Sequence, residues 1–432
     1  MVKSKRPLVA IKNGCSCSMP GVWRAVAHSR GAAVIFHSPR ACGHVTRDMG
    51  LSGHYRAVAR REFVPRQYRA PLITSNLAEE HAIFGGTEQL QNCIEHVVGQ
   101  YHPAYIVIAN SCVAGVIGDD VQTVAQAAEK KWKLPVLSVP CCGFLDGGEY
   151  HAGFYYTGRE LVQRFMTRQP RREGTVTLLG DRGGPNSFDV QEMKRLLQCF
   201  NLQVRFQFPG YVSAEELGQI PSSAMNLLMG GRPESYSWLR KLAVDMEAKT
   251  NVPFLDRDHP AGWQDTRLWL RQLGEFLDRE AEALLVEREQ EQRLNRQLCQ
   301  LRPVLRNVRT VLCIGRSLLH FQPGWVLEML ELSGTALEGI ILLSGLTDTQ
   351  RQEMRQVLKQ YTDRPVVEQQ AGDELLEQAE LVVTTHELED DSRRQLFLPI
   401  LPPVGVGGIT AVLRKCVRLA TRCGQRGGIV YG

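Results

Sequence analysis

The sequence predicts an α/β fold of mainly parallel sheets with crossover helices, divided into three nucleotide-fold-like units. Two observations carry this expectation. Short β-branched runs open repeatedly into Gly or Ser turns and then into helical stretches, which is the pattern of βα crossover units. Glycine-rich turns then restart that pattern at two places along the chain.

Taken in order, buried strands are expected at 34–37, 105–109 and 135–139 in a first unit, 1–170. A second unit, 171–302, opens with a strand at 175–179 that runs into Gly180, Gly183, Gly184 and Pro185. It closes with a long helix over 264–302, where Leu270, Leu273, Leu277, Ala281 and Leu284 recur at helical spacing. Glu287, Arg288, Glu289, Glu291 and Arg293 are expected on the solvated face of that helix, and Pro303 is expected to end it. A third unit, 303–432, carries strands at 309–314, 340–343 and 381–385, the first running into Gly315.

Composition narrows the function. Apolar residues make up 43% of the 432 and charged residues 22%, enough to build a sizeable core. No apolar run is long enough to span a bilayer, so no membrane association is expected. The net charge of +5 is spread along the chain, which argues against nucleic-acid binding, since that needs a clustered basic face. The opening MVKSKRPLVAIKNGC lacks the apolar stretch of a secretory signal, so a cytoplasmic location is expected. No GxxxxGK[ST] occurs, so the chain has no ordinary phosphate-binding loop of its own.

The twelve cysteines say more. In a reducing compartment, cysteines beside glycines serve as metal ligands, catalytic groups or small buried side chains rather than disulfides. Cys15 and Cys17 lie in GCSCSMPG, Cys42 in HSPRACGH and Cys112 in ANSCVAGVIGDD, all of them strand-end loops. In open α/β sheets ligands collect at the carboxyl ends of strands, and the strands at 34–37 and 105–109 deliver Cys42 and Cys112 to that edge. Soft thiolates suit iron, and glycine-rich loops let backbone amides approach cluster sulfurs. Compact CxxC spacings are absent, so spacing alone leaves each cysteine open between a ligand and a small buried hydrophobe. Cys93, Cys199, Cys299, Cys313, Cys416 and Cys423 fall in helical or strand patterns and are expected in the core. Asp119 and Asp120 are expected to cap the helix after Cys112, and Gly85 and Gly86 to permit a tight turn. His28, His37, His44 and His54 flank the N-terminal cysteines and are read first as residues that satisfy loop backbone groups.

TSNLAEEHAIFGG (74–86), ANSCVAGVIGDDV (109–121) and VPCCGF (139–144), in this order, resemble the consecutive motifs of the nitrogenase component 1 family. HSPRAC resembles that family's His-Gly-Pro-x-x-Cys, and Cys17 falls where family members place their first cluster cysteine. The likeness is strongest over 10–160. It continues more weakly through AMNLLMGG (224–231) and DHPAGWQDTRLWL (258–270) to the C-terminus. The resemblance implies three Rossmann-like domains and an iron–sulfur cluster, [4Fe–4S] or P-cluster-like, held by Cys17, Cys42 and Cys112 at a subunit interface. A fourth ligand is then expected from a partner subunit, with Cys15, Cys141 and Cys142 as local candidates. The implied partners are a nitrogenase iron protein-like ATPase, which delivers electrons, and a second component 1-like subunit or a second copy of the chain.

The sequence departs from the family at the second metallocofactor. Gly230 stands where the molybdenum-iron protein's catalytic subunit has its cofactor-binding Cys, and Val404 stands where it has the His. Neither residue has a side chain that binds metal. The expected function is therefore the iron–sulfur subunit of a nitrogenase-like reductase, an oxidoreductase whose substrate and second cofactor are open. The alternative is a non-catalytic scaffold for assembly of a nitrogenase-type metal cofactor.

Overall fold

The computed structural model describes residues 17–59, 68–145, 149–318, 321–390, 393–399, 401–422 and 429–431, with side chains left aside over 51–59 and 429–431. Cys15 and Cys423, and the side chain of His54, fall outside the described residues. The chain forms three parallel sheets with crossover helices. The first holds β1 (Ala32–His37), β2 (Leu72–Thr74), β3 (Tyr105–Asn110) and β4 (Val136–Cys142) in the order β2-β1-β3-β4. The second holds β5 (Arg172–Leu179), β6 (Gln203–Phe208), β7 (Ser223–Leu228) and β8 (Phe254–Leu255) in the order β6-β5-β7-β8. The third holds β9 (Arg309–Ile314), β10 (Ala336–Leu342), β11 (Val366–Glu368), β12 (Leu381–Thr384), β13 (Gln395–Phe397) and β14 (Ile429–Tyr431) in the order β11-β10-β9-β12-β13-β14.

Each apolar strand run is buried on both faces, as a doubly covered parallel sheet requires. In β1, Ala32, Val34 and Phe36 enter one core while Ala33 and Ile35 enter another. β3 divides the same way, with Tyr105, Val107 and Ala109 against Ile106 and Ile108. The first of these cores also takes in Leu179, Phe208, Leu228 and Leu242, so the first two sheets share one continuous interior. Helix Met19–Val26, with Pro20 in its first turn, buries seven of its eight residues there. It crosses helix Tyr150–Phe165 at contact distance: a Cβ on Gly21 would fall onto the Tyr150 carbonyl oxygen, and one on Gly153 onto that of Ser18. That crossing holds the segment beginning at Cys17 against the first sheet.

The expected single helix over 264–302 is two helices, Trp263–Phe276 and Glu280–Leu305. The break falls at Asp278, which takes a left-handed φ of 55°, and Gly274 lets Ala283 of the second helix pack directly on the first. Pro303 does not end the second helix, which continues to Leu305; in the last turn its missing N–H costs a single intrahelical bond. The charged face is only partly solvated. Glu287 is buried under Arg267 and Arg271 of the preceding helix, and Arg293 reaches Glu192. Cys93, Cys313 and Cys416 are buried as expected, whereas Cys199 is half-buried and Cys299 is exposed on its helix.

Candidate functional site

The carboxyl edge of the first sheet gathers the cysteine loops. Parallel register sets His37 of β1 beside Asn110 of β3, and Asn110 beside Cys142 of β4. Beyond His37 the chain turns at Ser38 and Pro39 into helix Arg40–Ala59, where the Cys42 amide donates to the Pro39 carbonyl at 3.2 Å. Beyond Asn110, Ser111 caps helix Cys112–Ile117 by accepting from the Ala114 amide at 3.2 Å, so Cys112 is the first helical residue. Beyond Cys142, Gly143 turns with φ +58°, and a Cβ there would stand 2.9 Å from the Cys112 amide nitrogen. Ser18 closes the set, donating through its hydroxyl to the Gly143 carbonyl at 3.1 Å and so bringing Cys17 to the same turn.

Cys17, Cys42 and Cys112 are half-buried, and the first two pack against the core beneath the edge. Cys141 is buried, and its thiol is pushed up to about 12 by that burial, with Cys142 and Cys17 near enough to add to the effect. Cys142 is half-buried, and Gly115 passes so close that a Cβ would lie 3.3 Å from its sulfur. Among the described residues no three His, Cys, Asp or Glu side chains close on a point that could hold a single metal ion. An iron–sulfur cluster fits the donor chemistry: thiols from separate loops, with glycine-lined backbone between them. Cys17, Cys42 and Cys112 are the residues that would hold it, with Cys141 behind them.

His37 binds this edge together. Its backbone oxygen accepts from the Ser111 amide at 3.2 Å, before Cys112. Its ring Nε2 meets Asp119 Oδ2 at 2.8 Å, just past the same short helix. Asp119 Oδ1 accepts from the Gly86 amide at 2.9 Å, and His37 Nδ1 meets Ser75 Oγ at 2.9 Å. Since an ionised carboxylate only accepts, Nε2 carries the proton and Nδ1 accepts from Ser75. Burial lowers the His37 pKa from its ordinary value and Asp119 opposes that, so the ring stays neutral near pH 7. Asp120 is a helix cap as expected, accepting from the Thr123 amide, but Asp119 is not a cap; it is this bridge. Gly85 turns with φ +84°, whereas Gly86 has φ −112° and is required by contact, since a Cβ there would stand 2.7 Å from Asp119 Oδ2. His28 lies elsewhere, bonded to Arg24 and the Tyr68 carbonyl, and His44 is exposed.

Around the same edge stand large apolar side chains open to solvent: Ile83, Phe84 (87% exposed), Val116 (76%), Phe144 and Leu145. A ring of this kind marks a surface suited to a partner.

A sequence profile described as nitrogenase component 1 type oxidoreductase matches residues 17–405. The chain belongs to the nitrogenase component 1 family. It is 26% identical over 308 residues to the nitrogenase iron-molybdenum cofactor biosynthesis protein NifE of Rippkaea orientalis, covering 69% of this chain and 61% of that protein. It is also 26% identical over 249 residues to the nitrogenase molybdenum-iron protein alpha chain of Methanosarcina barkeri, covering 56% of this chain and 44% of that one. The alignment thus spans less than two thirds of the length of these relatives. A solved structure of nitrogenase Cp1 shares the fold, with a TM-score of 0.64 at 16% identity over 98% of this chain and 91% of that one. Among the described residues no helix is long and apolar enough to cross a membrane.

The component 1 family implies a second metallocofactor in some members, and the two positions marked out for it here do not fit one. At Gly230 a Cβ would stand 2.8 Å from the Tyr236 amide nitrogen, so there is no room for a ligand side chain. The amides of Gly230 and Gly231 both donate to the Asp258 carboxylate, at 2.6 Å each. Burial opposes ionisation of Asp258, but His259 and the Gly231 amide outweigh it and hold the carboxyl below its ordinary range. Val404 is fully buried, with its amide donating to Asp189 at 3.0 Å and its backbone bridged to Ala261. Arg182 spans from Asp189 at 2.5 Å to the Pro402 carbonyl at 2.6 Å, and His259 Nε2 meets the same carbonyl at 3.1 Å. The loops that would frame such a cofactor are thus bonded to one another.

Sequence reasoning missed His37 and Asp119 as a pair, and Arg182, Asp258 and His259 entirely. GDD after Cys112 was visible, but nothing local marks which aspartate caps and which bridges.

Proposed function

We propose that the chain is the iron–sulfur subunit of a nitrogenase-like reductase complex, receiving electrons from a separate ATP-hydrolysing iron–sulfur protein and passing them toward a substrate. The observation that carries this reading is the delivery of Cys17, Cys42 and Cys112 to one sheet edge, on loops tied together through Gly143 and His37. A [4Fe–4S] or P-cluster-like group there supplies one-electron storage. The chain's own part is to hold three thiolates, to bring backbone amides close, and to exclude water with the apolar core beneath. A fourth ligand comes from a second component 1-like subunit or a second copy, with Cys15 and Cys141 as candidates on this chain. The exposed ring of Ile83, Phe84, Val116, Phe144 and Leu145 suits burial by these partners. Cytoplasmic reducing conditions would keep the thiols available.

The test is anaerobic purification together with any subunit that accompanies the chain, followed by iron and sulfide analysis and electron paramagnetic resonance. Cys42→Ala is expected to lose most of the iron. Wild-type protein free of iron and sulfide, or a Cys42→Ala variant with an unchanged spectrum, rules the reading out.

A second reading, a non-catalytic scaffold for cofactor assembly, draws on the missing ligands at 230 and 404 and on the likeness to NifE. Transfer of a labelled cluster to an apo-recipient, without turnover of any small substrate, supports it over the reductase. Turnover without transfer decides the other way.

A further inference from the structure

The Cys42 and Cys112 loops share one mechanical connection. β1 ends at His37, five residues before Cys42. The His37 backbone oxygen holds the Ser111 amide, and its ring holds Asp119, so one residue grips helix Cys112–Ile117 at both ends. The ring and Asp119 are almost fully buried, at 0% and 3% side-chain exposure. Nothing about this arrangement is needed to close the sheet, whose β1–β3 pairing already runs from Ala32 to His37. What the side-chain bond adds is a fixed tilt of the helix whose first residue is Cys112. Asp119 extends the connection to Gly86, and the Ser75 hydroxyl, which meets His37 Nδ1, also accepts from the Ser38 amide at 3.1 Å. The segments after β1, β2 and β3 therefore meet at a single imidazole–carboxylate pair.

We propose that His37 and Asp119 are positioning residues for the cysteine edge, setting the Cys42-to-Cys112 separation and with it the geometry of the bound cluster. The inference rests on the cluster reading above. Hydrogen bonds beyond the immediate ligands orient those ligands, and their removal costs about 10–100-fold in metal affinity or activity. Asp119→Asn removes the charge and one acceptor oxygen, so the amide either loses one of the two bonds or forces the His37 ring into the tautomer that donates to Ser75. His37→Leu loses the ring bond but keeps the backbone bond to Ser111. His37→Gln keeps a side-chain donor in reach of Asp119.

The experiment compares these three variants with wild type as full-length, anaerobically purified protein. Readouts are iron content, the paramagnetic resonance spectrum after dithionite reduction, and the rate of iron release to a chelator. Asp119→Asn and His37→Leu are expected to release iron about tenfold faster or more and to show shifted g-values, while His37→Gln stays near wild type. Rescue by Gln separates positioning from mere packing, which Leu serves as well as Gln. If wild type holds iron and both disrupting variants match it in spectrum and release rate, the positioning role is overturned and the cluster reading stands. If wild type holds none, the cluster reading itself fails and this inference falls with it. Should Asp119→Asn be insoluble, the contrast between Leu and Gln at position 37 decides alone.

Discussion

His37 Nε2 lies 2.8 Å from Asp119 Oδ2, across 82 residues of sequence, and Gly86 is the residue whose lack of a side chain allows it. A methyl group at 86 would meet Leu77, stand 2.7 Å from Asp119 Oδ2 and 3.1 Å from the His37 ring. Because Gly86 has φ −112°, backbone strain plays no part, and the whole effect of a substitution is steric. Gly86→Ala is expected to cost about 1–3 kcal/mol in denaturant unfolding, the usual range for overpacking. Gly99, exposed on helix Thr87–Tyr101 with nothing within 4 Å of a Cβ, is the control, and Gly99→Ala is expected to gain about 0.5–1 kcal/mol. Equal responses at the two positions would show that the close approach is not real.

How the first two sheets are joined predicts an acid response. Arg24 of helix Met19–Val26 pairs with Asp181, and Tyr211 donates to the same carboxylate at 2.8 Å. Burial opposes ionisation of Asp181, but Arg24 and Tyr211 outweigh it and hold the carboxyl at about 2, below the ordinary 3.8. A carboxyl depressed in the fold stabilises it above the unfolded value, and that stabilisation disappears as pH falls from about 4 through about 2; the shift is worth about 2 kcal/mol. His28 behaves differently: burial, then Arg24, hold it at about 4 against 6.5, so the unfolded chain takes up a proton first. Stability is therefore expected to fall already between pH 6.5 and 4, and again below 4. Arg24→Met should remove the lower step. Unfolding curves of that variant that fall below pH 4 as wild type does would contradict the assignment.

Closure of the second and third sheets against each other predicts that the missing ligands cannot simply be put back. Gly230→Cys places a Cβ 2.8 Å from the Tyr236 amide nitrogen and crowds the amides that donate to Asp258. The double variant Gly230→Cys, Val404→His is expected to lose about 1–3 kcal/mol per site and to bind no additional iron or molybdenum. Metal analysis and thermal unfolding read both outcomes. Added metal bound without loss of stability would mean that the region opens readily.

What could be read from the sequence follows what is local. All seven strands expected from apolar runs are present, because residues such as Val34, Ile106 and Leu312 are buried on both faces and must be apolar throughout. β6 and β7 were not visible as strands because buried Gln207 and Asn226 interrupt their apolar runs, and β13 because it is only three residues long and opens on buried Gln395. The break at Asp278 was hidden for a related reason: apolar spacing carries across it, and only a left-handed residue marks the turn. The cysteine loops were legible through the ordered family motifs that carry them, since spacing alone left each cysteine open between a ligand and a small buried hydrophobe. Their bracing was not, since Asp119 finds Gly86 and His37 at separations of 33 and 82 residues.

Glu192 provides the last prediction. It is 6% exposed on helix Phe188–Gln198 and accepts from Arg195 at 2.9 Å, from Arg293 at 2.6 Å and from the Gly407 amide at 2.9 Å. Arg293 belongs to helix Glu280–Leu305 and Gly407 to helix Gly405–Ala420, so one carboxylate joins the second sheet's helix to the two that cover the third. Burial opposes its ionisation, yet Arg195 and Arg293 outweigh that and hold it below the ordinary range. Glu192→Leu strands the Gly407 amide and leaves two guanidiniums about 30% exposed, able to regain some water. The expected cost is about 3 kcal/mol, the low end for breaking a buried pair. In a double-mutant cycle, Arg293→Met is expected to cost clearly less in the Glu192→Leu background than in wild type. Strict additivity, or a Glu192→Leu loss under about 0.5 kcal/mol, would place the junction between these units in apolar packing alone.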